Sequence, residues 1–494
     1  MKILLLYPKY PPTFWSFKYA LPFVGKKAAF PPLGLLTVAS MLPRDWEKKV
    51  IDMNVTELKD KDLAAADFVF ISAMIIQKES VKEIIKRCRR LKVKIVAGGP
   101  LFTTGHEEFK DQIDHLILNE AEVTLPLFLA DLKEGKPKHV YASSVFPDIT
   151  KTNMPLWELI NFKPYASMSI QYSRGCPFNC EFCDIVIMNG RIPRAKSKEQ
   201  IIKELDVLYY RGWRGGVFFV DDNFIGNKEG LKKEILPSLI QWMKKNNYPF
   251  YFNTEASINL SDDEELMSLL SEAGFNTVFI GIETPDEESL KECGKFQNTN
   301  RNLLASIKKI QNHGLQVQAG FIVGFDSDTP SIFERQINFI QKSGIVTAMV
   351  GILEALPKTR LYKRLKDEGR ILQNSSGDNT DYSINFKPKM GTSFLMEGYK
   401  RILNTIYSPK NYYERVKIFL KNYKPLKREK WNLKLSDLEA FIKSIWFLGI
   451  TGKGRYFYWK LFFGSLFTQP QLFPLAITLS IYGFHFRKVS ENYI

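Results

Sequence analysis

The 494-residue sequence predicts an α/β protein with a doubly wound domain, a partial (β/α)6 barrel and a mostly helical carboxyl-terminal domain. Two observations predict the first two parts. Short apolar runs alternate with helical patterns over residues 1–150, and the same alternation returns over residues 165–372. Such alternation is typical of parallel sheets covered by helices. The strand pattern then stops, which predicts a separate domain over residues 373–494, and residues 151–164 are interpreted as a linker.

The composition excludes several classes of protein. Hydrophobic residues make up 45% of the chain and aromatic residues 13%, so a mainly disordered chain is excluded. Five cysteines in the whole length exclude a secreted disulfide scaffold. The apolar run at residues 3–7 is too short for the core of a secretory signal and is better read as a strand. We therefore expect a cytoplasmic protein.

The first region has the pattern of a doubly wound sheet. Its apolar runs have the length of buried strands, and helical patterns separate them. The predicted strands cover residues 2–7, 50–53, 67–72, 94–97 and 115–118, and the predicted helices cover 33–42, 79–91 and 124–132. Ligands of such sheets bind at the carboxyl ends of the strands, so the residues after each apolar run are candidates for a binding site.

The second region repeats this rhythm six times. The predicted strands cover residues 169–173, 217–221, 251–258, 277–283, 316–325 and 348–355, and the helices between them include 198–210, 262–273, 301–313 and 331–342. A complete eight-unit barrel needs about 250 residues, more than this region offers. We therefore predict a partial barrel, with its chemistry at the carboxyl ends of the strands.

The third region carries most of the net charge of +16. Residues 375–494 hold 19 Lys and Arg against 8 Asp and Glu, whereas the rest of the chain holds 50 against 45. Aromatic side chains such as Trp431, Trp446 and Trp459 are interleaved with these cations. Residues 461–486 contain no charged side chain, but Pro470 and Pro474 interrupt them and argue against a membrane-spanning helix.

The basic, aromatic third region favours one of two kinds of partner. Contact with an anionic membrane surface, on the inner face, suits its charge and its charge-free apolar run. Nucleic acid is the rival, because aromatic residues with Lys and Arg also bind RNA. The charge-free run favours lipid, and we interpret nucleic-acid binding as the weaker hypothesis.

The second region opens on a cluster of three cysteines. Cys176, Cys180 and Cys183 have the spacing Cys-x3-Cys-x2-Cys, directly after the first predicted strand. Thiolates so close together can converge on one metal centre, and iron–sulfur clusters usually take four of them. A loop that offers three leaves one iron open for a small molecule. The spacing differs from the paired Cys-x2-Cys of structural zinc sites.

Other polar and small residues follow the remaining barrel strands. Carboxylates there could bind an ammonium group or sugar hydroxyls. The polar candidates are Asp221, Asp222 and Asn223 after the second strand, Glu255 in the third and Glu283 after the fourth. The fifth strand has instead the small and apolar residues Gly320, Ile322 and Gly324. Two alternatives stay open: Asp222 could cap the following helix, and Glu283 could form a structural ion pair. Cys293 is interpreted as incidental.

The first region has its own candidates at strand ends. They are Pro32 and Gly34 in a Pro-Pro-Leu-Gly-Leu run, Ser72 after the third strand, the pair Gly98-Gly99 after the fourth, and Glu120 after the fifth. Adjacent glycines allow the backbone to approach a bulky ligand. A Gly-Gly-Pro turn is also common in doubly wound folds, so a structural role stays open. Without a Gly-x-Gly-x-x-Gly motif, a nicotinamide or flavin site is unlikely.

The cysteine spacing, with the aromatic Phe182 before the third cysteine, resembles the hallmark of the radical S-adenosylmethionine (SAM) enzymes. The resemblance implies a 4Fe-4S cluster on Cys176, Cys180 and Cys183, with SAM on the open iron. It implies that the segment 221–223 binds the SAM amino group and that the Gly-x-Ile-x-Gly of strand five contacts adenine. It also implies an external electron donor such as flavodoxin or ferredoxin.

The first region resembles the cobalamin-binding domain of cobalamin-dependent radical SAM methylases. Tyr7-Pro8, the run at 31–35, the turn at 98–100 and the segment 119–122 stand where that family has its motifs. The Asp-x-His-x-x-Gly motif of other cobalamin domains is absent, which leaves the lower face of the cobalt unassigned. The stretch 7–15 and the basic tail are similar to the subgroup of hopanoid and chlorin side-chain methylases.

That resemblance implies methylation of an unactivated carbon in a hydrophobic polycyclic substrate, through methylcobalamin and a 5′-deoxyadenosyl radical. A cobalamin-dependent cyclase or rearrangement enzyme would use the same cofactors and is the alternative. A methylthiotransferase that modifies RNA is a lower alternative, because that family has a second cluster on its amino-terminal domain and region one contains only Cys88.

Overall fold

The computed structural model describes residues 1–378, 380, 382–426 and 435–493. Within this part of the chain, strands form two six-stranded parallel sheets and one short antiparallel pair. The strands are β1 Lys2–Tyr7, β2 Glu47–Asp52, β3 Phe68–Ser72, β4 Lys94–Gly98, β5 His115–Ile117, β6 Val140–Tyr141, β7 Ser167–Ile170, β8 Ser173–Arg174, β9 Arg194–Ala195, β10 Gly215–Phe219, β11 Phe250–Ala256, β12 Phe275–Glu283, β13 Gln316–Val323 and β14 Ala348–Ile352.

The α-helices lie between these strands and after the last of them. They are α1 Leu33–Met41, α2 Asp60–Ala64, α3 Lys78–Leu91, α4 Pro100–Gly105, α5 Ala121–Lys133, α6 Ile185–Asn189, α7 Lys198–Tyr210, α8 Lys228–Gly230, α9 Leu236–Lys245, α10 Glu264–Ala273, α11 Glu287–Glu292, α12 Leu303–Asn312, α13 Ile332–Ser343, α14 Arg360–Asp367, α15 Thr392–Ile406, α16 Pro409–Asn422, α17 Leu435–Ser444, α18 Arg455–Thr468 and α19 Phe473–Tyr493. Short π-helical segments at Leu231–Ile235 and Ile445–Ile450 extend α8 and α17.

The first sheet has the strand order β2-β1-β3-β4-β5-β6. Its strands are buried on both faces: Leu5, Phe70 and Val96 pack on α1 and α5, while residues of the opposite face pack on α2, α3 and α4. Helices on both faces of a parallel sheet confirm the predicted doubly wound architecture. The prediction missed β6 and the short helix α4, which begins directly after Gly99.

The second sheet has the order β14-β13-β12-β11-β10-β7 and curves into a half barrel. The strand face that meets the helices is fully buried, with Phe219, Phe252 and Phe275 at its centre. The opposite, inward face is half open along several strands. The predicted partial (β/α)6 barrel is confirmed. The first predicted strand is divided in two, because β7 ends at Ile170 and residues 173–174 pair with β9 instead.

The carboxyl-terminal helices pack on the barrel and on the amino-terminal segment. Phe14 stacks on Phe486 of α19 at a ring distance of 4.2 Å, and Lys443 of α17 donates to the carbonyl oxygen of Pro22 at 2.8 Å. The domain predicted for residues 373–494 is therefore mostly helical where the structure describes it, and Trp431 lies outside the described residues. None of the described helices combines the length and apolarity needed to cross a bilayer.

The carboxyl ends of the two sheets face each other across a cleft. Glu120, just after β5, forms ion pairs with Arg174 of β8 at 2.6 Å and with Arg194 of β9 at 2.7 Å. Lys358, after β14, donates to the carbonyl oxygen of Thr103 in α4 at 2.7 Å. These contacts join the two edges at which parallel α/β folds bind their ligands.

Candidate active site

The three cysteines lie on a loop between β8 and α6, and its first turn requires glycine. Gly175 has a φ of +99°, and a Cβ there would lie 3.0 Å from the carbonyl oxygens of Asn189 and Ile192. Cys176 N donates to the carbonyl oxygen of Gly190 at 3.2 Å. The first cysteine is therefore fixed against the turn that follows α6.

Two carboxylates after β10 hold this loop. Asp221 is fully buried and accepts hydrogen bonds from Tyr172 N at 3.2 Å and from Ser173 Oγ at 2.6 Å. Asp222 Oδ2 accepts from Gly175 N at 2.7 Å and from Asn189 Nδ2 at 2.9 Å. Burial raises the pKa of Asp221 to about 7. Both predicted cofactor-binding carboxylates therefore serve first as anchors of the cysteine loop, and Asp222 does not cap the next helix.

Asn223 connects the loop with the next strand. Its Nδ2 lies 4.0 Å from Cys176 Sγ and donates to Ser257 Oγ, after β11, at 3.3 Å. The amide thus reaches the first thiol from the strand edge, as a side chain that positions this thiol or its ligand would.

A second loop, residues 293–298, surrounds the cysteine loop from the β12 side. Glu181 N donates to the carbonyl oxygen of Cys293 at 2.8 Å, and Gln297 Nε2 lies 4.0 Å from Cys180 Sγ. Cys293 itself is buried and its thiol faces the carbonyl oxygen of Leu290, so its backbone and not its sulfur supports the loop. The sequence analysis missed this segment, because neither an amide nor a backbone carbonyl carries a motif.

Lys295 brings a buried positive charge to the cysteines. Its Nζ lies 2.6 Å from Glu283 Oε1, and only 12% of its side chain is exposed. Burial acts to lower the pKa of Lys295, but the charges of Glu283, Cys180 and Cys183 outweigh it and the pKa is raised. Glu283 therefore forms the ion pair that was left open as an alternative. A cation beside three thiolates offsets the negative charge that a cluster would add.

Glu255 is the carboxylate of this edge that stays free. It has no hydrogen-bond partner among the described residues and lies on the inward face of β11. Burial, with Asp222 and Asp221 nearby, raises its pKa to about 8. An unpartnered carboxyl group in the half barrel fits an ammonium or hydroxyl group of a ligand such as SAM.

The predicted adenine-contacting strand has glycines for two structural reasons. A Cβ on Gly320 would lie 3.0 Å from Phe279 Cζ, inside the half barrel. Gly324 has a φ of +108°, and its N donates to buried Asp328 at 2.8 Å. Ile322 lies between them on the inward face, and Phe182 packs near Phe325 at a ring distance of 6.3 Å. Their contact with adenine stays a prediction.

The corresponding edge of the first sheet is bare of side chains at the end of β4, whereas Asp52 at the end of β2 and Glu120 after β5 are buried and polar. A Cβ on Gly98 would lie 2.7 Å from the carbonyl oxygen of Ile117, and Gly99, with a φ of +90°, would place one 2.9 Å from Ser72 Oγ. Strand packing therefore requires both glycines. Beyond Ser72, Met74 is 39% exposed at the cleft. A smooth edge with an exposed apolar side chain fits a large planar ligand such as a corrin.

The other candidates of the first region lie away from the bare end of β4. Pro32 is buried before α1, and Gly34 is exposed on α1 with open space around it. Glu120 is engaged by Arg174 and Arg194, so the structure gives it a role between the domains. A direct contact of these three residues with cobalamin stays a prediction.

The thiols are arranged for a cluster better than for a single ion. Among the described residues, no three His, Cys, Asp or Glu side chains lie close enough to enclose one metal ion. An iron–sulfur cube binds its thiolates at separate corners, so they need not meet at one point. Together with the cation of Lys295, the loop fits a cluster held by Cys176, Cys180 and Cys183.

Three family models match successive parts of the chain. The B12 binding domain matches residues 27–129, the Radical SAM superfamily matches residues 170–340, and a domain of unknown function matches residues 359–494. The first two matches cover the two sheets whose carboxyl ends face each other.

Two relatives match over nearly the whole chain. An uncharacterized methyltransferase of Synechocystis sp. is 43% identical over 99% of this chain and 92% of its own length. Hopanoid C-2 methylase of Rhodopseudomonas palustris is 34% identical over 93% of this chain and 88% of its own length. The chain belongs to the cobalamin-dependent radical SAM enzymes. Its cofactors are therefore a 4Fe-4S cluster, SAM and cobalamin, and its family is one of methyltransferases, as the resemblance implied.

A solved structure of the same family has the same fold. The radical SAM methyltransferase TsrM from Kitasatospora setae, with cobalamin and a [4Fe-4S] cluster bound, superposes with a TM-score of 0.61 over 99% of both chains. The two sequences are 13% identical, so this likeness supports the fold alone.

Proposed function

We propose that this cobalamin-dependent radical SAM methylase transfers a methyl group to an unactivated carbon of a hydrophobic polycyclic substrate. The relationship to hopanoid C-2 methylase supports the substrate class. The inward face of the half barrel is apolar at Phe218, Phe279 and Met349, where Phe30 and Trp15 of the amino-terminal segment pack on it.

The observation that carries the proposal is the opposition of the two sheet edges. Glu120 is locked between Arg174 and Arg194, so the bare edge of the first sheet stays opposite the cysteine loop. A methyl donor on one edge and a radical source on the other would then reach one substrate between them. Such fixed proximity removes much of the entropic cost of bringing reactants together.

The residues of the chain would act by binding, orientation and charge compensation. When bound, the cofactors supply the hard chemistry: radical formation from SAM at the cluster, and methyl transfer from cobalamin. Cys176, Cys180 and Cys183 would hold the cluster on a loop anchored by Asp221 and Asp222. Lys295 would compensate negative charge there. Glu255, whose raised pKa keeps it largely protonated near pH 7, would donate or accept one hydrogen bond inside the half barrel.

Two further parts of the proposal concern partners. The cluster needs one-electron reduction, so we expect an external donor such as flavodoxin or ferredoxin. We also expect a cytoplasmic enzyme that contacts the inner membrane surface when it takes up a hydrophobic substrate.

The test compares lipid and pigment extracts of a strain lacking the gene with those of the parent by mass spectrometry. We expect the deletion strain to lose a polycyclic product and to accumulate a compound lighter by one methylene. The purified, anaerobically reconstituted enzyme should restore the product with SAM as methyl source. A product of unchanged carbon number would contradict methylation and favour the cyclase or rearrangement reaction.

A further inference from the structure

An exposed apolar surface lies on α17, the π segment after it, and α18. Its side chains recur at helical spacing along both helices. We call it the α17–α18 face; it consists of Leu438, Ile442, Trp446, Ile450, Tyr456, Phe463 and Phe467, exposed by 49–78%. Apolar patches of this extent on a folded protein mark sites of interaction.

The helices that carry this face are anchored from behind. Phe441 of α17 packs near Phe462 of α18, and Ser444 Oγ lies 2.9 Å from Tyr458 Oη. Trp459 joins the two halves of the face, because its Nε1 donates to the carbonyl oxygen of Gly449 at 3.0 Å and its ring stacks on Phe463. The exposed side chains therefore project from a packed pair of helices and do not belong to a loose segment.

The charge around the face selects one kind of partner. Residues 440–490 contain six Lys and Arg and no Asp or Glu. Lys453, Arg455 and Lys460 are exposed on the turn before α18 and on its first half, beside the apolar side chains. Asp437 and Glu439 lie beside Leu438 at the start of α17, and Glu439 is paired with Lys443. The remainder of the face is flanked by cations alone, which is complementary to the interface of an anionic bilayer.

The face also lies beside the amino-terminal end of the half barrel. Asp437 of α17 and Tyr482 of α19 are electrostatic neighbours of Tyr251, the second residue of β11. Tyr251 is 48% exposed. Asn253 and Glu255 continue this inward row toward the cysteine loop, whereas Phe252 and Thr254 between them are buried.

We propose that the α17–α18 face inserts into the surface of an anionic membrane and so places the amino-terminal end of the half barrel, at Tyr251, next to the bilayer. The membrane contact stands on the face and its charge; the delivery of substrate from the bilayer rests on the proposed function. The depth of insertion is that of interfacial side chains, because the helices lie along the protein surface and do not cross the membrane.

The test measures co-flotation of the full, cluster-loaded chain with phosphatidylcholine vesicles, with and without phosphatidylglycerol. We expect binding that needs the anionic lipid and weakens with salt. Removing apolar area with the double variant Ile442→Ser and Trp446→Ser should weaken binding at least about tenfold. The variant Lys453→Gln with Lys460→Gln should weaken it about thirtyfold, at about 1 kcal/mol per cation. Tyr210→Ser, at an 80% exposed aromatic elsewhere, is the matched control and should bind as wild type.

Several outcomes would overturn the proposal. Equal flotation of the Ile442/Trp446 variant and wild type, with iron content and melting temperature unchanged, would exclude the face. A wild-type dimer that this variant turns into a monomer, without vesicle binding, would assign the face to a second copy of the chain. Flotation needs no turnover, so failure of the proposed function can be distinguished from failure of the membrane contact. A membrane-bound enzyme that yields no methylated product would contradict the proposed function alone. Conversely, the variants should keep wild-type turnover of substrate dispersed in detergent and lose turnover of substrate in vesicles.

Discussion

The two sheets present opposite kinds of edge to the same cleft. At the edge of the half barrel, Asp221, Asp222 and Asn223 all reach the cysteine loop or its neighbours. At the end of β4 in the doubly wound sheet, Gly98 and Gly99 leave no side chain at all, and strand packing explains both. The edge of the half barrel is crowded with buried hydrogen bonds around the cysteines, whereas the edge of the doubly wound sheet has Asp52 and Glu120 on either side of a smooth end of β4.

The difference follows from the sizes of the ligands. A cluster and a small charged molecule need thiolates, charges and donors fixed to within a fraction of an ångström, and buried carboxylates that accept several backbone N–H groups provide such rigidity. A corrin is held over a wide area, so shape and exposed backbone matter more than any one side chain. The predictions below test this contrast.

Removing an anchor of the cysteine loop should impair cluster binding at the edge of the half barrel. Asp222→Ala deletes the acceptor of Gly175 N and Asn189 Nδ2, and should lower iron incorporation at limiting iron on the order of tenfold. Iron and sulfide analysis after anaerobic reconstitution measures this incorporation. Asp262→Ala, which removes an exposed partner of Arg301, is the control and should load as wild type. Full loading of Asp222→Ala would show that the anchor is dispensable.

The charge of the crowded edge can be tested at Lys295. Lys295→Met removes the cation, so the cluster should become harder to reduce and the KM for SAM should rise about tenfold. Redox titration followed by electron paramagnetic resonance gives the potential, and deoxyadenosine formation gives KM and kcat. Lys295→Arg should restore the wild-type reduction potential and the wild-type KM for SAM. An unchanged potential in a Lys295→Met enzyme with full iron would mean that Lys295 only pairs with Glu283.

At the smooth end of β4, the glycines should be required for backbone packing and not for contact with the ligand. Gly98→Ala puts a Cβ 2.7 Å from the carbonyl oxygen of Ile117 and should cost about 1–3 kcal/mol in the free energy of unfolding. Gly34→Ala, in open space on α1, should stabilise by about 0.5–1 kcal/mol. Urea unfolding of both variants tests the pair. If Gly34→Ala folds well but loses corrinoid, then Gly34 touches the cofactor and the contrast needs revision.

A pH dependence is expected at Glu255. In the folded chain this carboxyl keeps its proton to about pH 8, whereas in the unfolded chain it loses the proton near pH 4.5. Raising the pH between these values therefore favours unfolding, by at most about 1.4 kcal/mol per pH unit. Glu255→Gln should flatten the decline in the free energy of unfolding from pH 5 to 8, measured without SAM. Equal slopes in wild type, Glu255→Gln and the surface variant Glu83→Gln would argue that Glu255 is not desolvated.

The sequence was most informative where a signal is local. Continuous apolar runs predict buried parallel strands, and the three-cysteine spacing predicts the cluster loop, because both lie within a dozen residues. The anchors of that loop could not be assigned. Asp222 acts on Gly175 across 47 positions, and Glu120 pairs with Arg174 across 54. The strand ends were therefore predicted as cofactor contacts, while the structure shows that some of them first hold the protein together.

The most direct measurement of the central claim is the iron content and SAM cleavage of the full chain, reconstituted without oxygen. We expect about four irons per chain, a brown charge-transfer band, and 5′-deoxyadenosine after reduction with dithionite. Cys180→Ala should lose all three, and Cys88→Ala, at a buried cysteine of the other domain, should keep them. A folded wild-type chain that binds no iron and forms no deoxyadenosine would contradict the assignment of the cysteine loop and of everything built on it.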